Sequence, residues 1–270
     1  MLKYKTHYLL SIFLFSQVVM SANVFALTAE SENQHDTISP AENSVIKPDY
    51  EREKRWQAEV LPGIFIGDPV YLKQKNQHEF LGILSESDDT RMAVVIVHGL
   101  GIHPDWGLIS TIRQQLNEYD YTTLSIQMPV LAADASSDDY LQLFSDASER
   151  IKIAVDYLKK NSYQRVAIVS HSIGSRMSRV YVIDNQSEID AWVSLSMTQG
   201  DAFEGISVPV LDIYGEQDLP HVLAAVNKRK SSLKGNAGSK QMVIPDADHF
   251  FNGQLDLLIQ KIKKFLDSKK

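Results

Sequence analysis

The sequence predicts an α/β fold, in which a mostly parallel central sheet is covered by helices on both faces. Short runs rich in β-branched residues, such as residues 93–97 and 166–169, have the length and composition of buried strands. Between such runs lie longer segments with apolar residues at helical spacing, of which residues 141–160 are the clearest. Strands that alternate with helices in this way pair in parallel and are buried on both faces.

The predicted elements follow one another from a β-hairpin to the C-terminus. Strands are expected at residues 70–74, 79–85, 93–97, 122–127, 166–169, 191–196, 210–214 and 241–244. Helices are expected at residues 49–59, 109–118, 141–160, 175–183, 221–230 and 254–266. Only about a dozen residues separate the strands at 191–196 and 210–214, so we expect no large lid insertion between them.

The composition excludes several classes of protein. The chain has 27 basic and 34 acidic residues, a net charge of −7, which argues against a nucleic-acid-binding surface. It has no cysteine, which excludes thiol catalysis, disulfides and cysteine-bound zinc or iron–sulfur sites. The histidines are scattered, and the sequence has neither a dinucleotide-binding nor a phosphate-binding glycine loop. We therefore expect no cofactor and no metal.

The N-terminus has the layout of a secretory signal peptide. Two lysines precede an apolar run at residues 8–20, and Ala26 offers a small residue at the cleavage position. We predict a signal at residues 1–26 and an exported protein, periplasmic or secreted, with no stable membrane insertion after cleavage. An uncleaved anchor is the alternative. Residues 27–60 are expected to form a polar, partly disordered extension, and residues 61–270 the folded domain.

A serine between a buried strand and a helix is the candidate nucleophile. The run SHSIG at residues 170–174 has Ser172 at its centre and follows a predicted strand. A serine squeezed into such a sharp turn presents its hydroxyl at the carboxyl edge of the sheet, and the residues two before and two after it must be small. Gly174 satisfies this rule, whereas Ser170 replaces the usual first glycine.

A candidate acid and a candidate base come after this serine in the chain. A serine hydroxyl needs a base within hydrogen-bond reach, and the base needs an acid that orients it. Asp218 and His249 each come just after a predicted strand, so both are expected at the same sheet edge as Ser172. Asp212 lies within a strand and is the weaker candidate acid, and the two aspartates just before His249 are expected to be surface turn residues.

The run HGLG at residues 98–101, after the first strong strand, adds a further motif. Together with the serine turn and the order serine, aspartate, histidine, it makes the chain from about residue 68 onward resemble the α/β-hydrolase superfamily. The resemblance implies an α/β-hydrolase fold and an oxyanion hole formed by the backbone N–H groups of Leu100 and Ile173. The longer stretch HGLGIHPDW also resembles exported bacterial α/β-hydrolase-like proteins of uncharacterised function.

This resemblance implies a serine hydrolase, similar to carboxylesterases, that cleaves an ester or related acyl bond of a small-molecule or acylated substrate, and the predicted signal implies that it is exported. An acyltransferase with the same three residues, and a non-catalytic binding protein of the cell envelope, are the alternatives. His103, Trp106 and His171 are candidates for contact with substrate, because they lie beyond the HGLG run or beside the serine. We expect His221 to be exposed and Arg176 to be in a salt bridge. The sequence leaves the oligomeric state open.

Overall fold

An eight-stranded sheet forms the centre of the protein in a computed structural model that describes residues 46–90, 92–198 and 202–269. The predicted signal and most of the predicted extension lie outside these residues. The strands are β1 (Asp68–Lys73), β2 (Glu79–Ser85), β3 (Ala93–Val97), β4 (Thr122–Ile126), β5 (Val166–His171), β6 (Ala191–Leu195), β7 (Val210–Gly215) and β8 (Lys240–Ile244). The helices are α1 (Tyr50–Val60), α2 (Gly107–Glu118), α3 (Phe144–Lys160), α4 (Ile173–Asp184), α5 (Pro220–Ala224), α6 (Val226–Ser232) and α7 (Leu255–Asp267).

The order of the strands determines where a site can form. The order is β1-β2-β4-β3-β5-β6-β7-β8, with antiparallel pairing of β2 to β1 and β4 and parallel pairing from β4 onward. This confirms the predicted hairpin and the mostly parallel sheet. Because β3 lies between β4 and β5, the chain leaves β3 and β5 in opposite directions. In open α/β sheets the crevice at the carboxyl ends of two such strands is where ligands bind.

Helices cover both faces of the sheet, as the sequence predicts. α3 and α4 contribute to the core on one face, and α2 and α7 contribute to the core on the other. The central strands β3 and β5 are buried along their whole length. Each large apolar side chain in these cores stabilises the fold by about 1.5–3 kcal/mol relative to an exposed one. Within the described residues, none of the helices is both long and apolar enough to span a bilayer.

The helix predicted at residues 221–230 is divided in the structure into α5 and α6. At the division the Val222 carbonyl accepts hydrogen bonds from the Ala225 N–H and from the Arg229 guanidinium. The first of these is a bond to the third residue along the chain, so the helix tightens there and restarts. α3 is likewise preceded by a 3₁₀ turn, Asp139–Leu143. The described residues of the connection between β6 and β7 form no large lid, as the sequence predicts.

A buried ion pair lies beneath α6. Arg229 Nε–H donates to Asp212 Oδ2 at 3.0 Å, and both side chains are fully buried. The Gln241 amide donates to the same carboxylate at 2.8 Å, and Arg229 also donates to the Met197 carbonyl at 3.0 Å. The pair therefore joins β7, α6 and β8. Loss of one partner would leave the other charge buried and unpaired, which is strongly destabilising.

α1 belongs to the same compact unit as the sheet, although the sequence assigns residues 27–60 to an extension outside the folded domain. Asp49 caps the helix, and its carboxylate accepts the Arg52 N–H at 2.9 Å. Glu53 is only 5% exposed and pairs with the fully buried Arg150 of α3 at 3.0 Å. The end of the predicted extension is therefore built into the fold, because its charged face meets buried partners that the local sequence does not reveal.

Candidate active site

Ser172, the predicted nucleophile, lies in a strained turn at the carboxyl end of β5. Its backbone has φ 58° and ψ −128°, a conformation that residues other than glycine rarely adopt. β5 ends at the residue before it and α4 begins at the residue after it, so one residue makes the whole connection. The turn leaves the side chain at the sheet edge where the sequence predicts it.

Ser170, which stands where the usual turn has a glycine, is held by hydrogen bonds. Its hydroxyl accepts from the indole N–H of Trp192 at 2.8 Å, and its carbonyl accepts from the Ser175 hydroxyl at 2.9 Å. Serine is small enough to let strand and helix approach each other. Its hydroxyl also gives the buried indole N–H the partner that it needs. These contacts explain the departure from glycine.

Two glycines let the loop after β3 approach the candidate nucleophile. A Cβ atom on Gly174 would clash with the carbonyl oxygen of His98. A Cβ atom on Gly99 would lie 3.0 Å from Ser172 Cβ, closer than side chains normally pack. Because glycine alone lacks this atom, the HGLG run and the start of α4 meet directly at the serine.

Ser172, His249 and Asp218 form one chain of hydrogen bonds. Asp218 Oδ1 lies 2.6 Å from His249 Nδ1, and His249 Nε2 lies 3.0 Å from Ser172 Oγ. A carboxylate can only accept, so Nδ1 carries the proton and Nε2 accepts the hydrogen bond of the serine hydroxyl. The structure thus brings together three residues that the sequence selects at the ends of three strands. This arrangement can pass the hydroxyl proton to the imidazole and stabilise the resulting imidazolium.

Three donors besides His249 hold the Asp218 carboxylate. They are the Ser196 hydroxyl at 2.5 Å, the Leu219 N–H at 2.8 Å and the Gly215 N–H at 3.2 Å. Burial by itself raises the pKa of Asp218, but the hydrogen bonds from His249 and Ser196 outweigh it and hold the pKa below its usual value. The carboxylate therefore remains ionised at neutral pH.

Ser196 is missing from the residues that the sequence analysis selects. It directly follows β6, at the same sheet edge as the candidate nucleophile, and that position is the signal that could have identified it. Its backbone has φ 48°, so it shares the rare positive φ of Ser172. This conformation accompanies the placement of its hydroxyl against the Asp218 carboxylate.

The other acidic side chains considered from the sequence have different partners. Asp248 Oδ1 accepts the N–H groups of Phe250 at 2.9 Å and Asn252 at 3.0 Å, so this carboxylate organises the turn after β8. Asp212 is engaged in the ion pair beneath α6. Asp218 is therefore the carboxylate to which the candidate base is bonded.

The two predicted oxyanion donors belong to the segments that meet at Ser172. Ile173 is the first residue of α4, so its N–H is among the donors that a helix leaves without an intrahelical partner. Leu100 lies in the loop after β3, which Gly99 brings against the serine. Both donor residues border the same cavity as Ser172 and His249.

His98 fixes the peptide that carries the Leu100 N–H. The Met128 N–H donates to His98 Nε2 at 2.9 Å, so the ring proton is on Nδ1, which donates to the Gly99 carbonyl at 2.8 Å. Burial lowers the pKa of His98 to about 3, so the ring is neutral. The carbonyl and the N–H of one trans peptide point in opposite directions. The bond to the Gly99 carbonyl therefore sets the direction of the Leu100 N–H.

His171, a predicted substrate contact, packs against the candidate base and borders the cavity. Its Nε2–H donates to the His249 carbonyl at 2.9 Å, and the two rings lie 4.8 Å apart. Burial, reinforced by the neighbouring His249, lowers the pKa of His171 to about 4, so this ring is also neutral. Its Nδ1 atom is buried and has no hydrogen-bond partner among the described residues.

A cavity of about 320 Å³ opens beside Ser172. Its apolar lining comes from Leu100, Ile102, Leu219 and Phe250, which lie in loops at the carboxyl ends of the strands, and from Ile173 at the start of α4. Its polar border comes from Ser137, Asp138, Arg176, Thr198 and His221. The sequence predicts neither Arg176 nor His221 at this position, because a helical side chain reaches the cavity only through the way its helix is packed.

Two of the three predicted substrate contacts do not border this cavity. The Trp106 ring packs on the Phe250 ring, with centroids 5.0 Å apart. The His103 ring lies edge-on to Trp56 of α1, with centroids 5.9 Å apart. Trp106 therefore supports a wall of the site through Phe250, and His171 is the predicted contact that lines the cavity.

Acid is expected to destabilise the protein through His171. The histidine pKa is about 6.5 in an unfolded chain and about 4 in the folded protein. Between these values the unfolded state binds more protons, so the free energy of unfolding falls as the pH is lowered. We expect His171→Gln, which keeps a donor for the His249 carbonyl, to reduce this slope by about 1.4 kcal/mol per pH unit.

Urea unfolding of both proteins between about pH 6.5 and 4.5 measures the two slopes. Protonation of His98 contributes the same amount to both slopes, so the difference between the slopes measures the contribution of His171. Equal slopes would contradict the assignment of a neutral, buried His171.

Two protein families match the sequence. The family described as a protein of unknown function, DUF3530, matches residues 8–142, which is half of the chain. The family described as palmitoyl protein thioesterase matches residues 93–237, which include Ser172 and Asp218. No curated protein matches the chain.

Solved structures share the fold at low sequence identity. Est1E from Butyrivibrio proteoclasticus is 18% identical, with a TM-score of 0.60, over 75% of this chain and 98% of its own. A dienelactone hydrolase from Anabaena variabilis is 19% identical, with a TM-score of 0.63, over 75% and 97%. A Xanthomonas campestris protein, described as an α/β serine hydrolase without a lid, is 15% identical, with a TM-score of 0.63, over 76% and 95%. The chain therefore belongs to the DUF3530 family and, through its fold and its match to the thioesterase family, to the α/β-hydrolase superfamily.

Proposed function

We propose that the protein is an exported serine hydrolase that cleaves an ester or a related acyl bond. The observation that carries the proposal is the single chain of hydrogen bonds from Ser172 through His249 to Asp218 beside a mostly apolar cavity. The match to the family described as palmitoyl protein thioesterase supports the same class of reaction. Export is supported by the N-terminal sequence pattern alone.

In the first half of the proposed reaction, Ser172 Oγ attacks the carbonyl carbon of the substrate. Its proton passes to His249 Nε2, and the Asp218 carboxylate stabilises the imidazolium. The carbonyl oxygen becomes negatively charged and accepts hydrogen bonds from the N–H groups of Leu100 and Ile173. Donors of this kind contribute most when they are held in place beforehand, and loss of one typically costs about 10²–10³ in rate.

In the second half, the tetrahedral intermediate collapses and the alcohol or thiol leaves with the proton of His249. The acyl group then remains on Ser172 as an acyl-enzyme. Water attacks this ester, His249 takes the proton of the water, and a second collapse releases the carboxylic acid and restores the serine hydroxyl. An acceptor alcohol in place of water would make the same acyl-enzyme the intermediate of an acyltransferase.

The cavity indicates the size of the group that the proposed enzyme accommodates. Its volume of about 320 Å³ lies at the small end of the range for ligand pockets, roughly 300–1,000 Å³. Its apolar walls favour an alkyl or aryl group over a charged one. We therefore infer that the substrate carries a short acyl group. In this respect it would differ from the palmitoyl group in the description of the matched thioesterase family.

A fluorophosphonate probe tests for an activated serine. We expect the probe to label the folded protein and Ser172→Ala to abolish labelling, because the hydroxyl attacks only when a base takes its proton. The matched control is Ser178→Ala in α4, the helix that follows Ser172, because the Ser178 hydroxyl is buried without a hydrogen-bond partner among the described residues. Absence of labelling in the folded wild type would instead favour a non-catalytic binding protein.

Two aspartate variants separate catalysis from stability. Asp218→Asn is expected to lower kcat by about 10⁴, because the amide no longer orients and stabilises the protonated imidazole. Asp212→Asn is expected to lower the free energy of unfolding by about 3–5 kcal/mol, because Arg229 is left buried without its counter-charge. Ester kinetics and urea unfolding of both variants measure these effects, and the opposite pattern would assign the catalytic role to Asp212.

A series of p-nitrophenyl esters tests the inferred acyl length. We expect kcat/KM to be highest for acetyl and butyryl esters and at least about tenfold lower for palmitoyl esters, because apolar groups that do not fit the cavity stay in water. The corresponding coenzyme A thioesters distinguish ester from thioester preference with the acyl group held constant. A palmitoyl ester hydrolysed as fast as a butyryl ester would contradict the short acyl site.

A further inference from the structure

We propose that α1 holds the Gly99–Leu100 peptide in its working position, which makes Arg52 of α1 a positioning residue for oxyanion stabilisation. The inference rests on the proposed function and adds an element that the sequence assigns to an extension outside the folded domain. Two sets of contacts carry it. One set passes through residues 127–131, which form the segment after β4. The other set reaches the HGLG loop directly.

The N-terminal end of α1 is tied to the segment after β4 by backbone carbonyls. The Asp49 N–H donates to the Val130 carbonyl at 2.7 Å, and Arg52 Nη1–H donates to the Leu131 carbonyl at 2.5 Å. These contacts join a helix to a segment without regular secondary structure that lies about 80 residues further along the chain. Hydrogen bonds from a charged donor are stronger than neutral ones, so Arg52 is the principal tie.

A buried charge network adds a third tie to the same segment. Glu53 Oε2 accepts from Arg150 Nη1–H at 3.0 Å and lies 2.9 Å from His78 Nε2. Arg150 Nη1–H also donates to the Gln127 carbonyl at 3.1 Å. Because Arg150 is fully buried, its hydrogen bonds are shielded from water and hold the first residue after β4 in place.

The segment after β4 in turn holds the histidine that fixes the Leu100 peptide. The Met128 N–H donates to His98 Nε2 at 2.9 Å, and the Gln127 amide lies 3.1 Å from the same nitrogen. His98 then donates to the Gly99 carbonyl, which sets the direction of the Leu100 N–H. A displacement of the segment would therefore move the proposed oxyanion donor.

The second set of contacts reaches the HGLG loop directly. A Cβ atom on Gly101 would lie 3.8 Å from Arg52 Nη2, so the guanidinium is next to this residue. The same guanidinium stacks 4.4 Å above the Trp56 ring, and Trp56 in turn faces His103. Arg52 thus contacts both the segment after β4 and the end of the HGLG loop. A hydrogen-bond donor that is misplaced by about 1 Å can cost up to 10²-fold in rate.

The test compares Arg52→Ala with Arg55→Ala, which removes an exposed arginine from the next turn of the same helix. We expect Arg52→Ala to lower kcat for a short p-nitrophenyl ester about tenfold while KM changes less than about twofold, because an oxyanion donor acts mainly in the transition state. Arg55→Ala is expected to match the wild type. Thermal unfolding establishes that each variant is folded.

A trifluoromethyl ketone with a short acyl chain gives a second, independent measurement. Ser172 adds to its carbonyl, and the resulting oxyanion uses the same N–H donors as the reaction. We expect its inhibition constant to rise about tenfold in Arg52→Ala, in parallel with the fall in kcat. Trp56→Leu, which removes the ring that stacks on Arg52 and faces His103 without changing charge, is expected to shift both measurements in the same direction.

Equal kcat values for Arg52→Ala and Arg55→Ala, or a change confined to KM, would overturn the inference. Failure of the proposed function has a different signature, because a folded wild-type protein would then neither hydrolyse esters nor react with the fluorophosphonate probe. An active wild type with unaffected Arg52 and Trp56 variants rejects the positioning role alone.

Discussion

The candidate site depends on the strained turn that holds Ser172 between β5 and α4. A positive φ at a residue other than glycine costs about 1–3 kcal/mol, so the surrounding structure must enforce it. β5 is buried along its whole length and α4 belongs to the core, which leaves the turn no room to relax. Gly99 and Gly174 lack the side chains that would push the HGLG loop away. Close packing at one residue thus brings the nucleophile and the proposed oxyanion donors together.

Three buried histidines around this turn have distinct roles because their protons are on different nitrogens. His249 carries its proton on Nδ1 towards Asp218, and His98 carries its proton on Nδ1 towards the Gly99 carbonyl. His171 carries its proton on Nε2 towards the His249 carbonyl. Burial keeps His98 and His171 neutral, so they provide directed hydrogen bonds without adding a positive charge beside Ser172.

The cavity is shaped by loops and by the packing of helices, because the part of the chain that the structure describes forms no large lid. The loop before α3 contributes Ser137 and Asp138 to the border, and α5 contributes His221. α1 packs behind the HGLG loop and does not line the cavity. Helix α1 therefore reaches the back of the site through hydrogen bonds to carbonyl groups and a buried ion pair, and other elements border the cavity.

The local sequence is enough to predict the alternation of strands and helices, the mostly parallel sheet, and Ser172, Asp218 and His249 as candidate site residues. These features follow from local patterns, since side-chain periodicity and the position of a residue after a strand can be read along the chain. Other features become visible in the folded protein alone: Ser196 supports Asp218, Asp212 pairs with Arg229, His103 and Trp106 lie outside the cavity lining, and α1 joins the fold. Each of these depends on which side chains meet across distant segments, and such contacts are set by packing rather than by any local pattern.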